Sequence, residues 1–378
     1  MSMIFDIADF GAEKDSSALQ TKALQGALDA ARDNGGGEVV IPEGTYLTGG
    51  LRMYSHTCLH LMAGARLKGS TDPKDYPNFH LDSGLGYVTD PEFIEKWHLP
   101  DHYTNALITC YGETDISIIG EKGAVIDGSN CTDPSGEEGF RGPMGIVISL
   151  CRNVFLSGYE YVDSSNWAHQ IDRSSNIEIN GISVIAGHDG IDLHHCDNAV
   201  IKDCRLHTGD DCIAGYDNKN IIVSGCSLNT SCNSMRFGAS NMLVENCRFW
   251  GPGEHCHIVS GRTNTLFAFE YYAHKADTVR EKAGHWLVRD CRFSNIDSLI
   301  HYDFINEDHL QVSTPLTDVT FENCSFADIG GQSMFRNSTP DRSELYFSDC
   351  TFENCLSEKE FVLTGDGDQV SYDKCIFN

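Results

Sequence analysis

The chain has 378 residues, and 40% of them are hydrophobic, which is enough for a sizeable core. Asp and Glu number 55 against 27 Lys and Arg, and the resulting net charge of −28 disfavours electrostatic binding to nucleic acid or to an anionic membrane. We therefore expect neither partner. No apolar run of about 18 residues could span a bilayer, and the first residues lack the pattern of a secretory signal. These features favour a cytoplasmic protein; secretion with the signal already removed is the alternative.

The N-terminal region predicts one helix. Its apolar face is formed by Leu19, Ala23, Leu24, Ala27, Leu28 and Ala31. Ser17 and Gln20 form a candidate capping box at its start, and the glycine run 35–37 ends it. Two short strands follow around the turn at residues 42–44. We assign about residues 1–50 to an N-terminal cap that shields the first strands of a stack from solvent.

Two long stretches interrupt the pattern of the chain. Residues 70–104 contain several prolines, and residues 262–284 are rich in aromatic side chains. Long excursions from a regular scaffold often carry function. Each is therefore expected either to wall one end of a groove or simply to cover apolar surface.

An internal repeat dominates the middle of the sequence. Its copies begin at Asn153, Asn176, Asn198, Asn220 and Asn241, with spacings of 23, 22, 22 and 21 residues. Later copies begin at His285, Asp318 and Glu344. Apolar residues alternate with polar ones, break at a corner and alternate again, which predicts two short strands meeting at a bend. The asparagines are expected at tight turns, where they tolerate left-handed backbone geometry.

The cysteines support a stacked arrangement of these repeats. There are 16 of them, without a Cys-x-x-Cys pair, so the pattern of an ordinary structural zinc site is missing. Seven share the seventh position of the repeat, namely Cys204, Cys226, Cys247, Cys291, Cys324, Cys350 and Cys375. Identical small side chains at one coil position predict an interior ladder of buried thiols, with a disulfide scaffold as the alternative. We expect an all-β fold, a parallel β-helix of about 22 residues per coil, forming one domain over residues 1–378.

Three carboxylates occupy two short runs of this repeat. Asp189 precedes Asp210 by 21 residues and Asp211 by 22. Since these spacings match the length of one coil, they place all three on one face of adjacent coils. Repulsion and partial burial then raise at least one pKa, so that an acid and a base coexist near neutral pH, as glycoside hydrolysis requires. The alternative is that these aspartates form turn hydrogen bonds or bind calcium.

Several motifs resemble those of the polygalacturonase family of glycoside hydrolases, which are right-handed parallel β-helices that degrade pectin. The matching segments are Asp9-Phe10-Gly11-Ala12, Gly35-Gly36-Gly37, Ile41-Pro42-Glu43-Gly44-Thr45-Tyr46, Gly64-Ala65, Asp127-Gly128, Arg141-Gly142-Pro143, Ser165-Asn166-Trp167, His188-Asp189-Gly190-Ile191-Asp192 and Gly209-Asp210-Asp211-Cys212-Ile213-Ala214. The resemblance covers almost the whole chain and identifies it as a divergent member. It implies a right-handed, single-stranded β-helix.

The resemblance also implies roles for the three acids. Asp210 corresponds to the general acid that protonates the leaving oxygen. Asp189 and Asp211 correspond to the carboxylates that position and deprotonate the attacking water, which inverts the anomeric carbon. No metal and no cofactor is implied.

The chain departs from the family one coil later. Asn233 stands where the family has a histidine, and the family's Arg-Ile-Lys segment, which grips the galacturonate carboxylate, has no clear counterpart. Arg236 falls 44 residues after Asp192, or two coils, so it either binds a substrate carboxylate or pairs with Asp192. His255, a coil beyond Asn233, is a candidate replacement for the missing histidine.

Other aromatic side chains complete the predicted substrate site. His188 is expected to line the pocket because it precedes Asp189. Trp167 lies about one coil earlier and either stacks on a sugar ring or packs inside the solenoid. The remaining nearby histidines are expected at surface or turn positions; they are His194, His195 and His207.

These features favour an inverting glycoside hydrolase that cleaves pectin-derived or related oligosaccharides, including those that contain uronic acids. A polysaccharide lyase or epimerase on the same fold is one alternative. A non-catalytic carbohydrate-binding β-helix is the other. The sequence leaves open the sugar, the linkage, endo or exo action, and the oligomeric state.

Overall fold

The structure is a computed structural model that describes residues 3–82, 84–303, 315–337 and 341–378. It divides into two compact units, Met1–Asp192 and Leu193–Asn378. The organisation of residues 1–378 as one domain therefore stays a prediction. Over the described residues, no helix is long and apolar enough to cross a membrane.

The first unit begins with the expected helix, which spans Thr21–Asp33 and buries Leu24, Ala27, Leu28 and Ala31. The predicted capping box is wrong. Gln20 is the N-cap but makes no capping hydrogen bond, because its side chain instead accepts from the Glu13 N–H and donates to the Glu13 carbonyl. Further helical segments, either α or 3-10, are Ile7–Phe10, Pro73–Asp75, Gly86–Thr89, Pro91–Trp97 and Glu137–Gly139.

Parallel strands of the first unit form three stacks. One stack holds Leu51–Met53, Ala106–Tyr111, Met144–Ser149 and His169–Asp172. The next holds Ile4–Asp6, Gly37–Ile41, Thr57–Leu61, Thr114–Gly120, Arg152–Ser157 and Ser175–Asn180. The third holds Gly44–Thr48, Ala65–Gly69, Val125–Asp127, Glu160–Val162 and Ser183–Ala186. Strand Ile191–His194 follows in the chain.

The second unit has the same three-stack arrangement. One stack holds the start of Ile213–Ser224, the start of Asn233–Glu245, Phe267–Tyr271, Ser298–Asp303, Ser333–Arg336 and Val362–Thr364. The next holds Asp197–Lys202, the ends of those two long strands, Gly284–Arg289, Asp318–Glu322, Glu344–Ser348 and Gln369–Asp373. The third holds Arg205–Thr208, Ser227–Thr230, Arg248–Trp250, Arg292–Ser294, Ser325–Ala327, Thr351–Glu353 and Ile376–Phe377.

Each coil therefore has three strands, where the sequence predicted two strands around a bend. The two predicted strands are those on either side of the repeat's corner. The third strand lies just before the asparagine turn, and the segment that leads into it carries the acidic motif. In the second unit, Asp210 and Asp211 thus stand directly before the strand that starts at Ile213.

The asparagine and cysteine ladders are both present. All five repeat asparagines have a positive φ of 56° to 59°. Their side chains bond to one another: the Asn241 amide donates to the Asn220 oxygen at 2.7 Å, and the Asn220 amide donates to the Asn198 oxygen at 2.9 Å. Within the ladder, the Cys226 N–H lies 3.4 Å from the Cys247 sulfur. The described residues include all 16 cysteines and none of these forms a disulfide, so the disulfide alternative is wrong.

Residues 70–104 cover apolar surface of the first unit. Their short helices enclose a hydrophobic cluster that includes Phe93, Leu99, Tyr103 and Trp167. Residue 83 lies outside the described residues. Of the two roles expected for this excursion, the structure shows the covering one.

Residues 262–284 are only partly an excursion, because Phe267–Tyr271 is a regular strand of the first stack. Its register pairs Asn233 with Phe267, so this coil is about half as long again as the repeat predicts. The strand aligns its outward-facing side chains with those of the neighbouring coils. It therefore contributes directly to the candidate site.

Candidate active site

In the first unit, Asp189 lies two residues before strand Ile191–His194 and is 7% exposed. Its backbone carbonyl accepts a hydrogen bond from the Ala168 N–H at 2.9 Å. The ring of buried His169 lies 2.9 Å from the Gly190 carbonyl. Contacts with the Asp189 and Gly190 carbonyls therefore fix the segment that presents the carboxylate.

Two aromatic candidates of the first unit are buried. His188 is 3% exposed and stacks on Phe140, with ring centroids 6.1 Å apart. Trp167 is 5% exposed and has its ring against Tyr87 and Tyr103, at centroid distances of 5.1 and 6.1 Å. Trp167 thus has the packing role of the two predicted, because neighbouring side chains already cover its ring.

In the second unit, a buried cysteine anchors the paired aspartates. The Cys212 sulfur is fully buried and lies 3.4 Å from the carbonyl oxygens of Leu206 and Asn229. The hydroxyl of Thr208 donates to the Asp210 carbonyl at 2.7 Å, and the hydroxyl of Thr230 donates to the same oxygen. The backbone of the motif is thus held from the core side, while the two carboxyl groups are left for the outer face.

The two carboxyl groups differ in environment. The Asp210 side chain is 18% exposed, whereas Asp211 is 4% exposed as a residue. Burial, and then the neighbouring charge of Asp210, raise the pKa of Asp211 from 3.8 to about 7. Arg236 and the Asn233 N–H oppose that rise. The pair therefore retains a proton near neutral pH, as the sequence predicted.

Asn233 joins the buried acid to a further carboxylate. Its backbone N–H and side-chain amide donate to Asp211 Oδ1 at 3.1 and 2.9 Å. The same amide nitrogen donates to Glu270 Oε2 at 2.7 Å. The Asn233 side-chain oxygen is buried and has no hydrogen-bond partner among the described residues. Asn233 therefore does lie at the acidic site, with one unused acceptor.

A histidine that the sequence did not identify, His257, contacts the acid pair. Its Nε2 lies 3.4 Å from Asp210 Oδ2. The Ser260 N–H donates to His257 Nδ1 at 3.1 Å, so the neutral ring carries its proton on Nε2, facing the carboxylate. His255 contributes a backbone carbonyl that accepts from Ser231, and its predicted role as the replacement for the family's histidine stays a prediction.

Arg236 lies on the same face and is held by two groups. Its guanidinium carbon is 3.7 Å from the centre of the Tyr272 ring, and its Nε is 3.6 Å from Glu270 Oε2. Glu270 was missed because it lies on the long coil, where the register pairs it with Arg236, whereas a step of one repeat from Arg236 leads to Ile258. The predicted alternatives for Arg236, a substrate carboxylate or Asp192, stay predictions.

Three histidines expected at surface or turn positions are buried, so the surface position is wrong for all three; His195, with a φ of 55° directly after strand Ile191–His194, does stand at a turn. His194, His195 and His207 are 3 to 5% exposed. His195 lies 2.6 Å from Asp217 and 3.5 Å from Asp277, and these partners raise its pKa against the effect of burial. Burial lowers the pKa of His194 to about 3. Their carboxylate and aromatic neighbours compensate for burying the imidazoles.

One group of side chains in the second unit could hold a metal ion. Asp210, Cys232 and His257 bring an oxygen, a sulfur and a nitrogen within 4.8 Å of one another, which are ligand types that zinc accepts. The Arg262 guanidinium, however, donates to the Cys232 sulfur at 2.7 Å and places a positive charge there. The expectation that neither metal nor cofactor takes part stays a prediction.

Comparison with known proteins finds a family similarity for the central region. Residues 100–233 match the family model of Glycosyl hydrolases family 28. This segment includes Asp189 and the paired aspartates. A probable polygalacturonase from Vitis vinifera is 30% identical over 230 residues, covering 57% of this chain and 45% of the relative. The chain spans about half the length of the curated relatives it matches.

Solved structures confirm the predicted fold class. An exopolygalacturonase from Thermotoga maritima superposes with a TM-score of 0.71 at 18% identity, covering all of this chain and 92% of its own. The polygalacturonase from Erwinia carotovora superposes with a TM-score of 0.68 at 16% identity, covering 98% of this chain and 97% of its own. At such identities the similarity speaks for the fold alone, a right-handed parallel β-helix. The chain is thus similar to glycosyl hydrolases family 28 over residues 100–233 and to the solved polygalacturonases in its fold.

Proposed function

We propose that the chain is a glycosidase that hydrolyses glycosidic bonds in pectin-derived or related oligosaccharides. The observation that carries the proposal is the difference between the two adjacent acids. Asp210 is partly exposed, while Asp211 is buried with a pKa raised to about 7. A carboxyl pair that keeps one proton near neutral pH supplies both an acid and a base, as glycoside hydrolysis requires.

In this proposal Asp210 is the general acid, because its carboxyl group is the more accessible of the pair. The single proton of the coupled pair lies on Asp210 in the reactive form, which leaves Asp211 ionised, and Asp211 and Asp189 then position the attacking water and accept its proton. The attack inverts the anomeric carbon, a mechanism that needs roughly 6.5–9.5 Å between acid and base to leave room for the water. The spacing of 21 and 22 residues between Asp189 and the pair supports their joint action.

His257 is a positioning residue in this scheme. Its Nε2–H faces Asp210 Oδ2 and stabilises the carboxylate that forms when Asp210 gives its proton to the leaving oxygen. Since a hydrogen bond to a charged group contributes about 1.5–3 kcal/mol, His257→Ala should lower kcat at least about tenfold with little change in KM. His257→Gln, which keeps a donor, should recover part of that loss.

The matched control is His255→Ala, two residues earlier, which should leave kcat within about twofold of the unmodified enzyme because the bond of His255 to Ser231 uses the backbone alone. Steady-state kinetics of the three variants on one oligosaccharide decide the assignment. Equal losses in His255→Ala and His257→Ala would contradict it.

A substrate panel tests the function itself. The protein is incubated with neutral oligosaccharides, oligogalacturonides and their methyl esters, and new reducing ends and unsaturated products are followed together. Hydrolysis yields reducing ends without unsaturation. Unsaturated products would show a lyase instead. The absence of any product with every member of the panel would overturn the proposal.

A further inference from the structure

A charged face lies beside the acid pair on the second unit. The register aligns Arg236, Glu270 and His301 on three neighbouring strands. The residues flanking Arg236 along its strand, Met235 and Phe237, are fully buried, so this row points away from the core. The three side chains are 27%, 22% and 18% exposed and form one partly open surface. We call it the Arg236–Glu270–His301 face.

The positive charge of Arg236 on this face already has partners within the protein. Tyr272 lies against the Arg236 guanidinium, and Glu270 neutralises its charge at 3.6 Å. A uronate carboxylate arriving here would have to compete with Glu270 for the same cation. It would also meet the charges of Glu270 and of the acid pair.

Glu270 is itself held firmly in place. Its Oε2 accepts from the Asn233 amide at 2.7 Å, and its Oε1 lies 3.6 Å from His301 Nδ1. The His301 ring stacks on Phe267, with centroids 4.7 Å apart and planes 12° apart. A carboxylate fixed by contacts on both oxygens cannot easily turn aside for an anionic ligand. It can still accept hydrogen bonds from sugar hydroxyls.

We propose that Glu270 selects an uncharged sugar unit, either a neutral sugar or an esterified uronate, for the Arg236–Glu270–His301 face. The inference rests on the proposed function of the site as a glycosidase. The unused, buried oxygen of Asn233 supports it, because a hydroxyl donor is the group that this acceptor lacks. Glu270 thus acts on specificity, beside the acids that perform the chemistry.

Matched ligands isolate the effect of charge. Trigalacturonate and its fully methyl-esterified form share a sugar skeleton and differ in ionisation. Binding of each is measured by calorimetry in an Asp210→Asn background, which stops turnover. We expect the ester to bind about tenfold more tightly than the acid. Glu270→Gln retains the side-chain shape and removes the charge, so it should reduce that preference at least about fivefold.

Glu281→Gln is the control, because Glu281 pairs with Lys219 and is 52% exposed, outside the row that the register defines. It should leave the preference unchanged. Equal or tighter binding of the acid by the protein that retains Glu270 would overturn the inference, as would a preference that Glu270→Gln does not alter. Should Glu270→Gln fail to fold, binding of the acid and the ester by the protein that retains Glu270 is measured at increasing salt concentration. A preference for the ester that does not decrease with added salt would overturn the inference.

Binding does not require turnover, so the two proposals fail separately. A protein that hydrolyses nothing yet prefers the ester through Glu270 would lose the proposed function and keep this inference. A protein that hydrolyses trigalacturonate and its ester equally fast, with no influence of Glu270, would keep the proposed function and lose this inference.

Discussion

Replacing Asp210 with Asn should reduce kcat for glycoside hydrolysis by about 1000-fold. Asparagine keeps the size of the side chain but cannot donate a proton to the leaving oxygen, and general acid catalysis contributes typically about 10²–10⁴-fold. The backbone contacts of Asp210 with Thr208 and Thr230 use its carbonyl and do not depend on the carboxyl group. The variant should therefore fold normally, as checked by circular dichroism and thermal unfolding.

Asp203→Asn is the matched control for this substitution. Asp203 is exposed and has a positive φ of 54°, a conformation that asparagine also tolerates. The activity of Asp203→Asn should equal that of the unmodified protein. If Asp210→Asn retained full activity while hydrolysis itself was confirmed, the assignment of Asp210 as the general acid would be wrong.

Replacing Asp211 with Asn should abolish most of the activity and yet stabilise the fold above pH 7. Burial raises the pKa of Asp211 from 3.8 to about 7, so folding disfavours its ionised form by about 4 kcal/mol. Asparagine avoids that cost and its oxygen can still accept from Asn233. We expect a gain of about 2–4 kcal/mol in the free energy of unfolding at pH 8.

The pH dependence gives the sign of this effect. Between about pH 4 and pH 7 the coupled Asp210–Asp211 pair of the folded protein holds a proton that the unfolded chain has released, so the pair's contribution to stability falls as pH rises. Below pH 4, Asp211→Asn should lose its advantage over the unmodified protein. Denaturant unfolding at pH 4 and pH 8 measures the free energy of unfolding of the variant and of the unmodified protein. A variant less stable than the unmodified protein at pH 8 would contradict the raised pKa.

The fold could be predicted because its signals are local and periodic. The repeat of Asn153, Asn176 and their successors indicated the length of one coil, and the cysteine ladder indicated which side faces inward. The N-terminal capping box failed because Gln20 contacts Glu13, a tertiary contact that competes with the cap and leaves no local pattern. The third strand was missed because its polar side chains are buried with its apolar ones, as in His169–Asp172 and Ile191–His194, so the apolar and polar residues do not mark an inner and an outer face.

The candidate site could be predicted only where the coil length stays constant. Asn233 follows Asp211 by 22 residues and does contact it. Glu270 lies on the longer coil, and no count from the acids in steps of the repeat reaches it. His257 comes from the segment between two coils, so its approach to Asp210 depends on the local path of that segment and not on the period.

The buried histidines show a different limit. The sequence predicted surface or turn positions for His195 and His207, because imidazoles are usually exposed or partly exposed. Their partners Asp217, Asp277 and Glu254 lie one or more coils further along the chain, and these carboxylates are what permit burial. A single sequence does not reveal such pairings.

The most direct test of the proposed chemistry is the stereochemistry of the first product. Proton NMR, recorded within the first turnovers and before mutarotation, follows the anomeric signal of the new reducing end on whichever oligosaccharide the panel identifies. We expect a saturated product whose anomeric configuration is opposite to that of the cleaved bond. A product of retained configuration, or an unsaturated one, would contradict direct attack of water assisted by Asp189, Asp210 and Asp211.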